Sequence, residues 1–168
     1  MGKDGFRVLD SDLHLMEPPD LYQRYLPSEY RSRAPISRTN RPGHYADWVL
    51  DGQAIPPWRN VPQVLKMNSP LDLKMQTVME EGWRRQFDPI SHLNAMDVEG
   101  IDVAVLFRTA ASMLVSVDDQ DAAFAVALCR AFNDWVHDYC QEDPSRLKGS
   151  AIVPQQNPAL AAQDESNK

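Results

Sequence analysis

Three short apolar runs, rich in Val, Ile and Leu, stand out along the sequence at positions 6–13, 101–107 and 147–153. Each run has the length and composition of a strand that is buried on most of its surface. Helical segments separate the second run from the third and precede the second, so parallel pairing with right-handed crossovers is expected. The pattern therefore predicts an α/β fold with three strands.

Helical periodicity fills the segments next to these strands. The segment 118–142 repeats aromatic and aliphatic residues at helical spacing, which predicts an amphipathic helix that begins at Asp118 or Asp119 and ends before Pro144. The segment 88–99 carries apolar residues on one face and is followed by a glycine suited to a left-handed C-terminal cap. Two helices are therefore predicted around the second strand.

A long insertion, 27–87, lies between the first two strands of the single domain predicted for residues 1–168. Within it, the segment 47–55 contains two apolar triplets around Asp-Gly, which predicts a β-hairpin. The segment 71–87 is weakly amphipathic and is predicted to be helical. Long insertions of this kind often build the mouth of an active site.

The first apolar run continues directly into metal-binding residue types, in the sequence FRVLDSDLHLMEP. Alternation along a strand places Asp10, Asp12 and His14 on one face. A carboxylate and an imidazole two residues apart, about 6 to 7 Å along a strand, can converge on one divalent ion. Glu17 follows just past the strand end. The pattern predicts a metal site at the end of the first strand.

Other interpretations of this motif remain open. The residues also fit a strand that ends in a polar turn, with His14 as an ordinary surface histidine. A calcium loop is disfavoured because Leu15 and Leu21 stand where that loop needs glycine and glutamate. A phosphatase with Asp10 as nucleophile fits the DxD pattern, but His14 replaces the Thr or Val that this pattern requires.

Composition narrows the classes of partner. The 168 residues are 43% hydrophobic, with a net charge of −7 and a pI near 5.0, so no basic surface for nucleic acid or an anionic membrane is expected. A small molecule or another protein is the expected partner. The sequence has no apolar run long enough to span a bilayer and no signal-peptide core, which predicts a cytoplasmic protein. Cys129 and Cys140 are predicted to be reduced, packed thiols.

Four segments together resemble the amidohydrolase superfamily of metal-dependent hydrolases, in the branch related to aminocarboxymuconate semialdehyde decarboxylase. They are distributed in order over the first 162 residues: DSDLHLMEPPDLYQRYL, WVLDGQAIP, HLNAMDVEGIDVAVLF and FNDWVHDYCQEDPSRLKGSAIVPQQNPALAA. The resemblance implies a (β/α)8 TIM barrel with a metal ion at the C-terminal ends of its strands. It also implies either hydrolysis or nonoxidative decarboxylation (carboxy-lyase activity) of a small carboxylated or cyclic substrate.

Carried over residue by residue, the resemblance implies that Asp12 and His14 are metal ligands, while Asp10 and Glu17 orient them. The expected ion is zinc, with manganese as the alternative. The family's other ligands, two later histidines and a late aspartate that also moves protons, come from strands after the third. No catalytic residue is identified in this chain. Arg108, just after the second strand, is predicted to bind a substrate carboxylate at the barrel mouth, with a solvated or ion-paired arginine as the alternative.

The chain length leads to a further expectation. A complete barrel needs about 250 residues and eight strands, whereas three strands are predicted here. We therefore expect a truncated barrel: the N-terminal fragment of such an enzyme, with little or no activity alone. The alternatives are a noncatalytic remnant or one half of a split barrel that needs a complementary chain. The possible protein partners are therefore a complementary C-terminal chain or further copies of this chain in a homo-oligomer. The remaining histidines, His44, His92 and His137, are expected to have no ligand role.

Overall fold

The computed structural model describes residues 4–37, 48–55 and 73–165. None of the helices in these ranges has the length and hydropathy needed to cross a membrane. Besides a 3-10 helix at Ser28–Arg33, the elements follow in this order: β1 (Leu9–His14), α1 (Leu21–Tyr25), β2 (Ile36–Ser37), β3 (Trp48–Leu50), β4 (Gln53–Ile55), α2 (Leu73–Arg84), α3 (Pro89–Glu99), β5 (Val103–Phe107), α4 (Ala111–Leu114), α5 (Ala122–Cys140), β6 (Leu147–Gly149) and α6 (Pro158–Glu165).

The three predicted strands form one parallel sheet in the order β1-β5-β6. Most of their predicted limits are wrong: the first strand ends at His14 instead of residue 13, the second begins at Val103 instead of residue 101, and two further limits differ by more. The first strand begins at Leu9 instead of residue 6, because the amide of Val8 donates to the Asp102 carboxylate (2.8 Å). The third strand ends at Gly149 instead of residue 153, and the Asn133 side chain pairs with both backbone groups of Ile152 at 2.8 and 2.9 Å. At Ile152, the side-chain amide of Asn133 on α5 thus makes the hydrogen bonds that a neighbouring strand would otherwise make.

The long amphipathic helix is confirmed as α5, but its predicted start is wrong. Asp121 is the N-cap, and its carboxylate accepts the amide N–H of Phe124 at 2.8 Å. Asp119 has a φ of 58°, a left-handed conformation incompatible with the first turn. The apolar face of α5 lies in the core against the sheet, where Leu106 and Leu147 are buried. Both cysteines are buried on this helix and form no disulfide.

The shorter predicted helix is confirmed as α3. Asp88 caps it by accepting the amide N–H of Ser91 at 2.9 Å, and Gly100 ends it with a φ of 76°. Gly100 occupies the left-handed position that glycine adopts without steric cost. The short helix α4, which the sequence pattern did not predict, follows β5 directly.

The insertion forms a small antiparallel sheet, β2-β3-β4. The predicted hairpin is confirmed, with Asp51 and Gly52 in left-handed conformations at φ 48° and 80°. Trp48 packs edge-on against Tyr22 of α1, with ring centroids 5.5 Å apart, so the small sheet joins the main core. The predicted helix in 71–87 is α2. His44 and the rest of 38–47 and 56–72 lie outside the described residues.

Candidate functional site

The acidic motif lies where β1 ends, beside the end of β5. A β-bulge interrupts the pairing of β1 with β5 between Asp10 and Leu13. Because a bulge adds one residue, it exchanges the two faces of the strand beyond it. The prediction that Asp10 shares a face with His14 is therefore wrong. Asp10 instead stabilises the bulge, since its carboxylate accepts the amide N–H of Asp12 at 2.9 Å.

Asp12 and His14 do converge. Asp12 Oδ1 lies 3.6 Å from His14 Nε2, and the two side chains are 82% and 54% exposed. Two ligands that bind one tetrahedral ion at about 2.1 Å are separated by about 3.4 Å, which matches the observed separation. The separation is therefore compatible with two neighbouring ligands of one ion, and both side chains are exposed to solvent.

The other ring nitrogen of His14 faces the loop between β5 and α4. His14 Nδ1 lies 3.0 Å from the carbonyl oxygen of Arg108 and 3.3 Å from Thr109 Oγ1. The Thr109 hydroxyl donates to the carbonyl oxygen of Leu15 at 2.7 Å. These bonds join the end of β1 to the loop after β5, and they orient the His14 ring.

Glu17 organises the same loop. Its carboxylate accepts three backbone N–H groups, those of Thr109 (2.8 Å), Ala110 (3.1 Å) and Ala111 (3.0 Å). The residue is only 8% exposed. Burial, followed by the negative charge of Glu17, raises the pKa of Tyr22 well above its usual value. Through these three bonds Glu17 holds the chain segment after Arg108, which in turn bonds His14.

Arg108 lies at this end of the sheet, partly buried. Its Nε is shielded from solvent and makes no hydrogen bond to any part of the chain that the structure describes. A guanidinium N–H is a strong donor, and leaving it buried without an acceptor costs free energy. The group is therefore suited to an acceptor such as a carboxylate.

Within 4–37, 48–55 and 73–165, no three acidic, histidine or cysteine side chains are grouped as a metal site would require. His137 is exposed on α5. His92 is packed on α3 with its Nδ1 3.1 Å from the Tyr139 hydroxyl, and burial lowers its pKa to about 4. From the sequence, Thr109 was considered a weaker candidate than Arg108 for contact with a substrate, and no role in orienting His14 was predicted for it. The available signal was its position directly after Arg108, at the carboxyl edge of the sheet.

No protein-family model and no curated protein matches the sequence. Among solved structures, the chain is similar to an amidohydrolase from Mycobacterium avium subsp. paratuberculosis, with a TM-score of 0.66 and 17% identity. The match covers 97% of this chain and 47% of that one, so the chain spans just under half the length of that protein.

Two decarboxylase structures are also similar at a lower level. A dihydroxybenzoic acid decarboxylase from Polaromonas sp. JS666, with bound manganese and the inhibitor 2-nitroresorcinol, has a TM-score of 0.47 and 20% identity over 96% of this chain and 34% of that one. A 2,6-dihydroxybenzoate decarboxylase from Rhizobium has a TM-score of 0.46 and 16% identity over 96% and 34%. The M. avium likeness confirms the predicted fold class, because over the part of that protein which it spans the chain shares the same α/β fold.

Proposed function

We propose that the chain is the N-terminal part of a metal-dependent enzyme that hydrolyses or decarboxylates a small carboxylated or cyclic substrate. In this proposal Asp12 and His14 supply two ligands of a divalent ion, zinc or manganese. The single observation that carries the proposal is the 3.6 Å separation of Asp12 Oδ1 and His14 Nε2 at the carboxyl edge of the parallel sheet. In barrels of this class, active sites lie at that edge.

The donors present fit a divalent ion in part. A neutral imidazole nitrogen and a carboxylate oxygen are both zinc ligands. A catalytic zinc site needs three protein ligands, whereas the described residues group only two. The ion, when bound, would activate water or polarise a substrate oxygen.

The protein groups around the pair have separate tasks in this proposal. The loop after β5 orients the His14 ring, and Glu17 holds that loop. Arg108 binds the substrate carboxylate through its guanidinium, whose Nε has no acceptor in the described residues. Proton transfer is assigned to no residue of the chain, so we expect little or no turnover from the chain alone.

Titration of the purified chain with Zn²⁺ or Mn²⁺ tests the metal assignment. A structural zinc site with four ligands binds with an apparent 10 to 16 kcal/mol, so half the ligands should give about 5 to 8 kcal/mol, or a Kd between about 1 µM and about 0.2 mM. Asp12→Asn and His14→Gln should each abolish this binding. His137→Gln, an exposed histidine on α5, is the matched control and should leave it unchanged.

Two results would contradict the proposal. Binding that survives both Asp12→Asn and His14→Gln would place the ion elsewhere. Stoichiometric tight metal together with ester or lactone hydrolysis, or release of carbon dioxide, would contradict the expectation of low turnover. The noncatalytic and split-barrel alternatives stay predictions, as does the phosphatase, which requires magnesium-dependent phosphate release that Asp10→Asn abolishes.

A further inference from the structure

The imidazole of His14 presents its two nitrogens to different surroundings. Nε2 faces the Asp12 carboxylate at 3.6 Å. Nδ1 faces two oxygens, the Arg108 carbonyl at 3.0 Å and Thr109 Oγ1 at 3.3 Å. A neutral imidazole carries one ring hydrogen, so one nitrogen donates and the other offers a lone pair. Only an unprotonated nitrogen binds a metal ion.

The hydrogen-bond partners determine which nitrogen carries that hydrogen. The Arg108 carbonyl can only accept. Thr109 has a single hydroxyl hydrogen, and it is used in the 2.7 Å bond to the carbonyl oxygen of Leu15. Toward His14, the hydroxyl therefore also acts as an acceptor. Asp12 Oδ1 is an acceptor too, but at 3.6 Å from Nε2 it lies beyond hydrogen-bond distance, whereas both acceptors at Nδ1 lie within it. The contacts therefore favour the hydrogen on Nδ1 and leave the lone pair of Nε2 facing Asp12.

The Thr109 hydroxyl is itself held in place. Its backbone N–H donates to Glu17 at 2.8 Å, while its hydroxyl bonds the end of β1. Thr109 is thus anchored at two points on the segment that follows β1, and its position relative to the His14 ring depends on both.

We propose that Thr109 is a positioning residue that keeps His14 in the Nδ1–H tautomer, with Nε2 available to a divalent ion beside Asp12. The proposal deepens the proposed function, since the tautomer matters for ligation. It does not need the ion for its test, because the tautomer exists in the metal-free protein. Removing the hydrogen-bond partner that orients a histidine ligand typically lowers metal affinity by about 10- to 100-fold.

Nitrogen-15 NMR of the histidine ring nitrogens in the metal-free full chain, at mildly alkaline pH, is the direct test. A neutral histidine in water favours the Nε2–H form, so a predominant Nδ1–H form of His14 is the diagnostic result. Thr109→Ser keeps the hydroxyl and should keep this tautomer. Thr109→Val removes the hydroxyl, and with it one of the two acceptors at Nδ1 and the bond from the loop to Leu15, while the Arg108 carbonyl stays as an acceptor. We therefore expect the variant to raise the Nε2–H fraction without making it complete, and to weaken Zn²⁺ binding by about 10-fold.

Ser112→Ala is the matched control, because Ser112 in the first turn of α4 donates to the carbonyl of Thr109 (3.0 Å) and is not bonded to His14. It should leave both readouts unchanged. A predominant Nε2–H form in the unmodified chain overturns the proposal without any variant. The proposal is also overturned if Thr109→Val and Thr109→Ser show the same His14 tautomer and the same zinc affinity. If the chain binds no divalent ion but His14 is Nδ1–H, the proposed function fails while the tautomer assignment stands.

Discussion

Replacing Glu17 tests how the two chain segments of the site are held together. Its carboxylate accepts three backbone N–H groups of the loop after β5, and the residue is 8% exposed. We expect both Glu17→Gln and Glu17→Ala to lower the free energy of unfolding, with the larger loss for alanine.

The magnitudes follow from the bonding pattern. The N–H groups of Thr109 and Ala111 share Oε1, while that of Ala110 bonds Oε2. A glutamine with its oxygen at the Oε1 position keeps the two bonds to Oε1, which are weakened by the loss of charge. Its NH₂ group then faces the N–H of Ala110, which loses its acceptor. A buried donor without a partner costs about 1 to 3 kcal/mol, so we expect about 2 kcal/mol for glutamine and about 4 kcal/mol for alanine.

Equilibrium unfolding in urea, followed by tryptophan fluorescence, measures both values. Glu29→Gln is the matched control, because Glu29 is exposed and its carboxylate accepts only a long 3.4 Å bond from the Ser28 hydroxyl among the residues that the structure describes. It should change the free energy of unfolding by less than about 0.5 kcal/mol. If both Glu17 variants also remained within about 0.5 kcal/mol of the unmodified chain, the three bonds would not stabilise the fold and the reasoning would be refuted.

Three further predictions concern the packing behind the site. Burial lowers the pKa of His92 to about 4, so His92 takes up a proton at higher pH in the unfolded chain than in the folded one. The free energy of unfolding should therefore fall by as much as about 3 kcal/mol as the pH drops from about 6.5 to about 4. His92→Gln should flatten this dependence in urea unfolding, whereas His137→Gln should not. Gly149→Ala places a methyl group in steric overlap with Val136 Cγ1 and should cost about 1 to 3 kcal/mol. In a double mutant, Val136→Ala should recover part of that loss, and full additivity would argue against the clash. Asn133→Asp replaces the amide donor of a two-bond backbone contact and should cost about 1 to 3 kcal/mol by thermal unfolding; an unchanged Tm would contradict this.

Local patterns predicted most of the fold. Three apolar runs, one long amphipathic repeat and an Asp-Gly turn were enough to predict the parallel strands, α5 and the hairpin. These features depend on neighbours within a few residues, which sequence periodicity and cap chemistry report directly. The motif at the end of β1 likewise predicted that Asp12 and His14 converge, since residues two apart in a strand share a face.

The remaining features depend on contacts between distant residues. The bulge that separates Asp10 from the face of His14 depends on how β1 pairs with β5, more than ninety residues later. The bonds that Thr109 makes to Glu17 and to Leu15 likewise join residues 92 and 94 positions apart in the sequence. The sequence by itself determined which residue types could form a metal-binding pair and which strand would carry them. Only the tertiary structure decided what orients that pair, because a side chain that bonds a distant backbone group leaves no periodic signal in its own neighbourhood.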